Sequence, residues 1–237
     1  MFQYFDKVVR GTPQEDSLVI IQFLKKMVGK KFSFLNYYKE IPVSYDAKLL
    51  SVENDMAEFE IHEYQAKVIS IERKALIYAH EESPFKEDIL GEAFYINALK
   101  KKAILCNFEY AKIRSDMRRF VRVLLDTPVE ADLIFEDDII KANTKDISLG
   151  GAAMHVMSHD RLLPGMELNL FLKLPDISSG TINEVGMSAS VIKVSGENAP
   201  FTCILEFHPE KHSQQQISYY INQRQVEIIK ELKELSV

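Results

Sequence analysis

Two short stretches hold the residues whose types and spacing could do chemistry. Arg118-Arg119-Phe120-Val121-Arg122 brings two guanidiniums together four residues apart. Asp146-Ile147-Ser148-Leu149-Gly150-Gly151 follows 24 residues after Arg122 and supplies a carboxylate, a hydroxyl and a pliable backbone. Arginine forks suit bidentate contact with phosphate and with the O6/N7 edge of guanine. They also stack on a base plane. A carboxylate accepts the two hydrogens on guanine N1 and N2, and a serine hydroxyl donates or accepts. Gly150-Gly151 lets the backbone approach a ligand and permits positive φ. Together these groups describe a site for an anionic guanine nucleotide. None is set as nucleophile beside base, so the pattern points to binding without bond breaking, and the chain reads as a non-enzyme.

Positioning these groups needs extended elements. If Arg118 to Arg122 enters a strand, Arg118, Phe120 and Arg122 share one face at period two, as do Asp146 and Ser148. Arg119 and Arg114 are auxiliary candidates. Strand patterns do crowd this half of the chain: Val129–Phe135, Ile139–Ala142 after an Asp137-Asp138 turn, Ala152–Met157, Met166–Leu174, Met187–Val194 and Phe201–Phe207. Pro128, Pro164-Gly165, Pro175, Gly180 and Gly196 punctuate them. The pattern predicts a six-stranded antiparallel barrel closed on itself. A helix follows, with Ser213 to Gln216 as capping box and an apolar stripe of Ile217, Ile221, Ile228, Leu232 and Leu235. The stripe packs either across a barrel mouth or against a second copy of the chain. Its shortness and the interruption at Arg224 favour the mouth.

The first hundred residues carry another β-rich set. Thr12-Pro13-Gln14-Glu15 starts a helix by capping box, with proline at the first helical position. It runs to about Val28 before Gly29 and buries Leu18, Ile21, Leu24 and Val28. Val43–Val52, Met56–His62, Lys67–Ile71, Lys74–Ala79, Leu90–Ile96 and Ala103–Tyr110 read as strands. The fold class is therefore mainly β, with two small barrels in tandem. Residues 1–110 form a barrel-like domain with a leading helix, 111–117 a linker, and 118–237 the second barrel with its C-terminal helix.

Bulk properties narrow the function classes. The hydrophobic share of 46% supports packed cores, and the net charge of −6 with pI near 5.6 argues against a polymeric nucleic-acid partner. A barrel for single-stranded nucleic acid would also interleave basic residues with aromatics, which this chain does not do. Cys106 and Cys203 are far apart in apolar runs and read as reduced and buried. The N-terminus lacks a secretory pattern, and Leu18 to Leu24 is too short to span a bilayer. The expected location is the cytoplasm, without membrane insertion.

Other polar groups read as structural. His155 and His159, and His208 and His212, stand four apart, but no cysteine or carboxylate set completes either pair. No metal or cofactor is expected. Glu58-Phe59-Glu60 reads as a solvated strand face, and Lys100-Lys101-Lys102 as a solvated turn.

Each opening stretch alone would read as an ion-pair network or a turn. Both in this order, inside a barrel pattern, are more specific. Arg118-x-x-x-Arg122 followed by Asp146-x-Ser148-x-x-Gly151 resembles the signature of the PilZ domain, over about residues 112–225. That resemblance implies a six-stranded antiparallel barrel with a C-terminal helix that binds cyclic di-GMP. It implies that Arg118 and Arg122 contact phosphate and guanine, and that Asp146, Ser148 and Gly151 surround a guanine. Met117, just before the first arginine of the signature, would border the ligand and bear on whether one molecule or an intercalated pair is held. The two-domain layout resembles the flagellar-brake group. This implies an effector in which the ligand draws linker arginines inward and reorients the domains. A protein partner in the flagellar or surface machinery and a role in motility or biofilm processes belong to the same expectation, and a homodimer is the alternative use of the C-terminal apolar stripe. The alternative is a PilZ-like interaction scaffold that binds no ligand.

Overall fold

The computed structural model describes residues 4–79, 85–113, 119–136, 138–176 and 179–235. The chain divides into two compact units, one of residues 1–38, 42–118 and 230–237, the other of 39–41 and 119–229. Both are antiparallel β-barrels of six strands.

The first unit begins with β1 (Phe5–Val8) and α1 (Pro13–Lys25). The expected capping box is formed: Thr12 Oγ1 accepts from the Glu15 amide, and the Glu15 carboxylate accepts from the Thr12 amide. The buried face of α1 is Ile20, Ile21 and Leu24, whereas Leu18 and Val28 are exposed. The inward stripe runs through Asp16, Ile20, Ile21 and Leu24, which leaves Leu18 on the outer side, and the helix ends at Lys25, three residues before Val28.

Strands β2 (Lys31–Tyr38), β3 (Ile41–Glu53), β4 (Met56–Glu60), β5 (Lys74–Ile77), β6 (Asp88–Asn97) and β7 (Lys102–Ile113) close in the order β7-β4-β3-β2-β5-β6, with β6 pairing back to β7. β1 extends the edge of β7 beyond β4 through Phe5–Ile113 to Val8–Tyr110. Neither β1 nor β2 is legible as a strand in the sequence pattern. The core is aromatic: Phe34 and Phe59 meet edge to face at 5.0 Å, and Phe32 contacts both Phe59 and Phe85.

Two further expectations differ from the structure. Lys67–Ile71 is not a strand but part of helix α2 (Glu63–Glu72). His62 caps it by accepting the Tyr64 amide on Nδ1, and Ala66, Val68 and Ile69 are buried at helical spacing. A five-residue apolar run fits either period, and only the cap and the buried face decide. The second concerns the first three residues of the expected linker. Ala111, Lys112 and Ile113 continue β7, held by pairing with β1. Arg114, Ser115, Asp116 and Met117 lie outside the described residues.

The second barrel is β8 (Arg122–Phe135), β9 (Asp138–Ser148), β10 (Gly151–Val156), β11 (Glu167–Pro175), β12 (Ile182–Ser195) and β13 (Phe201–His208), closed in the order β10-β13-β12-β11-β8-β9. β8 and β9 are far longer than their apolar cores suggest. Pro128 does not end β8. It sits in a stretch, Leu125 to Pro128, that loops out between the pairs Leu124–Asp146 and Val129–Thr144.

Helix α3 (Lys211–Glu234) closes the chain and buries Ile217, Ile221, Ile228 and Leu232, as the stripe predicts. Its start differs: Ser213 lies inside the helix and its hydroxyl donates to the Gly186 carbonyl, so no capping box forms there. Arg224 interrupts the stripe because it is bonded to Asp126 and to Glu227. Among the described residues no helix is long and apolar enough to cross a membrane. Cys203 is buried, and that burial pushes its thiol up to about 11. Cys106 is only half-buried.

Candidate functional site

Pairing between β8, β9 and β10 decides where the polar groups of the second barrel point. Simple alternation along β9 would send Ala142, Thr144, Asp146 and Ser148 to one face. The register forbids this. Ile147 pairs with Val123 on one side and Ala152 on the other, and Ala152 pairs with Leu205. All four are buried, forming a continuous apolar row that lines the barrel interior. Thr144 pairs with Val129 and Met154, and Met154 shares the face of Ala152, so Thr144 is interior too. Two residues of β9, Lys145 and Asp146, oppose the single Ala153, which makes a β-bulge. The bulge reverses the alternation. Asp146 and Ser148 are turned to the outer face of the barrel, beside Ala153.

Arg122 belongs to that outer face. It is the direct cross-strand partner of Ser148, and Asp146 is the next residue along on the same side. The Arg122 Nη1 lies 3.8 Å from Asp146 Oδ1. The carboxylate is fully buried, whereas the guanidinium side chain is 33% exposed. The cation is therefore reachable and its partner is screened from water, where an effective dielectric lower than bulk strengthens the attraction. Ser148 is also buried, and its hydroxyl donates to the Gly151 carbonyl at 3.1 Å. With its hydrogen engaged in the turn, the oxygen keeps lone pairs for an incoming N–H donor.

The two glycines after Ser148 serve space rather than positive φ. Neither adopts the left-handed backbone. A Cβ on Gly151 would sit 2.2 Å from the Leu205 carbonyl oxygen, because Gly151 pairs with strands on both sides. A Cβ on Gly150 would sit 2.8 Å from Cδ2 of Phe120. The close approach expected of a ligand at Gly150 is thus made by an aromatic ring of the chain itself.

Of the sequence candidates, the structure brings together Arg122, Asp146, Ser148, Gly150 and Gly151. Arg119 has its guanidinium carbon 5.2 Å from the Phe120 ring centroid. Arg119 and Phe120 form a bend and β8 begins only at Arg122, so the expected shared strand face of Arg118, Phe120 and Arg122 does not form over its described part. Arg114, Met117 and Arg118 lie outside the described residues. The sequence reading puts Phe120 on one face with the two arginines and assigns it no contact of its own. It also gives no sign of Thr144, whose buried hydroxyl has no hydrogen-bond partner among the described residues.

The remaining polar groups form other arrangements. His159 packs edge-on against Phe201, and His208 Nε2 is 2.7 Å from Ser190 Oγ. Lys102 pairs with Glu58, and Arg161 pairs with Asp138. Among the described residues no group of three histidines, cysteines or carboxylates could hold a metal ion.

Residues 116–223 match the family model described as PilZ domain. An uncharacterized protein of Aquifex aeolicus (strain VF5) is 26% identical over 231 residues, covering 87% of this chain and 93% of its own. Two solved structures are similar. The inhibitor of motility MotI/DgrA of Bacillus subtilis is 15% identical, with 84% of this chain and 97% of that one covered and a TM-score of 0.43. YcgR from Escherichia coli, in complex with c-di-GMP, is 13% identical, with 98% and 97% covered and a TM-score of 0.44.

Proposed function

The chain carries a PilZ domain, and on that premise we propose that it is a receptor for cyclic di-GMP and acts as an effector rather than an enzyme. The observation that carries this reading is the outer face on which Arg122, Asp146 and Ser148 stand together beside a glycine turn. Arg122 binds phosphate or the O6/N7 edge of a guanine. The Asp146 carboxylate and the Ser148 oxygen accept the hydrogens on guanine N1 and N2. Arg118, Arg119 and Arg114 add cations for the two phosphates, and Met117 borders the ligand. Gly151 lets the end of the turn after Ser148 pack against the Leu205 backbone, and Gly150 leaves the notch that the Phe120 ring fills beside the site.

Two phosphates bring about two negative charges, and each charge-assisted hydrogen bond contributes ~1.5–3 kcal/mol. Several such bonds give the ligand a firm hold on the segment that carries Arg119 and Arg122. In sequence that segment falls at the division between the two units. Ligand binding there rearranges the domains and alters a surface read by a protein partner, in regulation of motility or surface attachment in the cytoplasm. Titration calorimetry of the full chain with cyclic di-GMP tests the binding. Heat saturating at low micromolar ligand is expected, and no heat at high micromolar ligand overturns the reading. Small-angle scattering with and without ligand tests the rearrangement, which fails if the two curves superimpose.

The Arg122–Asp146 approach also favours a second reading, an interaction scaffold whose arginine is used internally. A thermal-shift series separates the two. A true ligand at a hundred times its Kd stabilises by ~2.7 kcal/mol, and a scaffold shows no shift.

A further inference from the structure

The residue between the arginines does more than separate them. Phe120 is half-buried and its ring lies on the Cα of Gly150, in the notch left by the missing side chain. Gly150 is in the two-residue turn that joins Ser148 to Gly151, so the ring rests on the same turn that presents the Ser148 oxygen. Two residues on, Arg122 is locked to Ser148 by the β8–β9 pairing. The segment carrying the arginines is therefore held at two points, at Phe120 by a ring on a glycine and at Arg122 by strand pairing. Between them only Val121 is unattached, and it is exposed. The Arg119 guanidinium carbon lies over the ring, 5.2 Å from its centroid, within reach of a cation–π contact.

We infer that Phe120 is a positioning residue for the ligand site: its ring, latched onto Gly150, pre-forms the approach of the Arg119–Arg122 segment to Asp146 and Ser148. The inference deepens the cyclic di-GMP reading and rests on it for its effect on affinity. Pre-ordering a binding segment raises affinity because less freedom is lost when the ligand arrives. It also gives the two glycines separate duties. At Gly151 an added methyl meets the backbone oxygen of Leu205, which the barrel cannot move. At Gly150 it meets a ring edge, which can rotate away. Gly150→Ala therefore evicts the ring and leaves the barrel standing.

The test is a double-mutant cycle in the full chain with Phe120→Ala, Gly150→Ala and both together, measured by calorimetry with cyclic di-GMP. Each single variant is expected to lose about tenfold in affinity, ~1.4 kcal/mol. The double variant should also lose about tenfold rather than a hundredfold, because the two changes break one contact. Phe120→Tyr, which keeps the ring, should bind as the parent does. Melting temperatures of the singles should stay within a few degrees of the parent. Amide hydrogen exchange of the ligand-free chain supplies a readout that needs no ligand: amides 119–122 should exchange faster in both singles. Additive losses, or unchanged exchange in both singles, overturn the latch. Faster exchange in a chain whose parent binds no cyclic di-GMP would sink the ligand reading and leave the latch standing.

Discussion

The two barrels close the same number of strands around different interiors and use their buried polar groups for different ends. In the first barrel the centre is filled by Phe32, Phe34, Phe59, Phe85 and Phe108. Its buried polar side chains work as fasteners. Asp16 accepts the backbone amides of Arg10 and Gly11, which shapes the entry to α1. Asn36 on β2 accepts from Gln65 of α2 and donates to Glu72 and to the Lys74 carbonyl, which pins that helix to the sheet. The second barrel is lined by smaller groups such as Ala152, Met154, Leu170, Leu172, Ala189 and Val191. Its buried carboxylate and hydroxyl, Asp146 and Ser148, are turned outward by a bulge beside a half-exposed arginine. The difference teaches that burial alone does not mark a functional site. What separates the regions is whether the polar partner is a backbone or helix end, as at Asp16 and Asn36, or a cation still open to solvent, as at Asp146.

That contrast can be broken by experiment. Phe59→Ala removes a fully buried ring from the first core and should cost ~3–5 kcal/mol of stability, read by denaturant unfolding. Cyclic di-GMP affinity of the molecules still folded should be unchanged, and a large loss would mean the barrels are not separable in function. Arg122→Ala should do the reverse, lowering affinity about a hundredfold or more, ~2.8 kcal/mol, with a melting temperature close to the parent. Retained affinity there would remove the site assignment.

Gly151→Ala should destabilise the second barrel by ~1–3 kcal/mol through the Leu205 carbonyl, visible as a lower melting temperature even without ligand. If it melted like Gly150→Ala, the separate duties of the two glycines would fall. The smallest effects belong to the first unit. Thr12→Ala should cost about 1 kcal/mol by opening the cap of α1. Glu15 is held below the usual carboxylate range by hydrogen bonds from the backbone and then the side chain of Thr12. Its folded-state pKa is depressed, so its contribution is complete above the ordinary glutamate value near 4.3 and is lost as pH falls through the lower, folded one. Melting curves below about pH 4.5 should steepen in that sense for the parent and less so for Thr12→Ala.

Much of this arrangement is legible along the chain. The α1 cap was readable because its donors and acceptors are three residues apart and need nothing from elsewhere. The strands from Met166 to Phe207 were readable because alternating apolar residues face a single core. β2 was not, since Leu35, Asn36 and Tyr37 are buried on both faces and erase the alternation. α2 is not legible either, because a short apolar run satisfies two periods equally.

By itself the sequence determined the residue types of the site, their order, and the β character of both halves. These depend on side-chain chemistry and on local spacing. Tertiary structure alone decided which way Asp146 points, why Gly150 bears no side chain, and which ring fills its notch. The first is set by the register between strands, where a slip of one residue reverses every face, and the other two by the packing of Phe120 on the β9–β10 turn. Register is a property of paired segments, and no single stretch of the chain carries it.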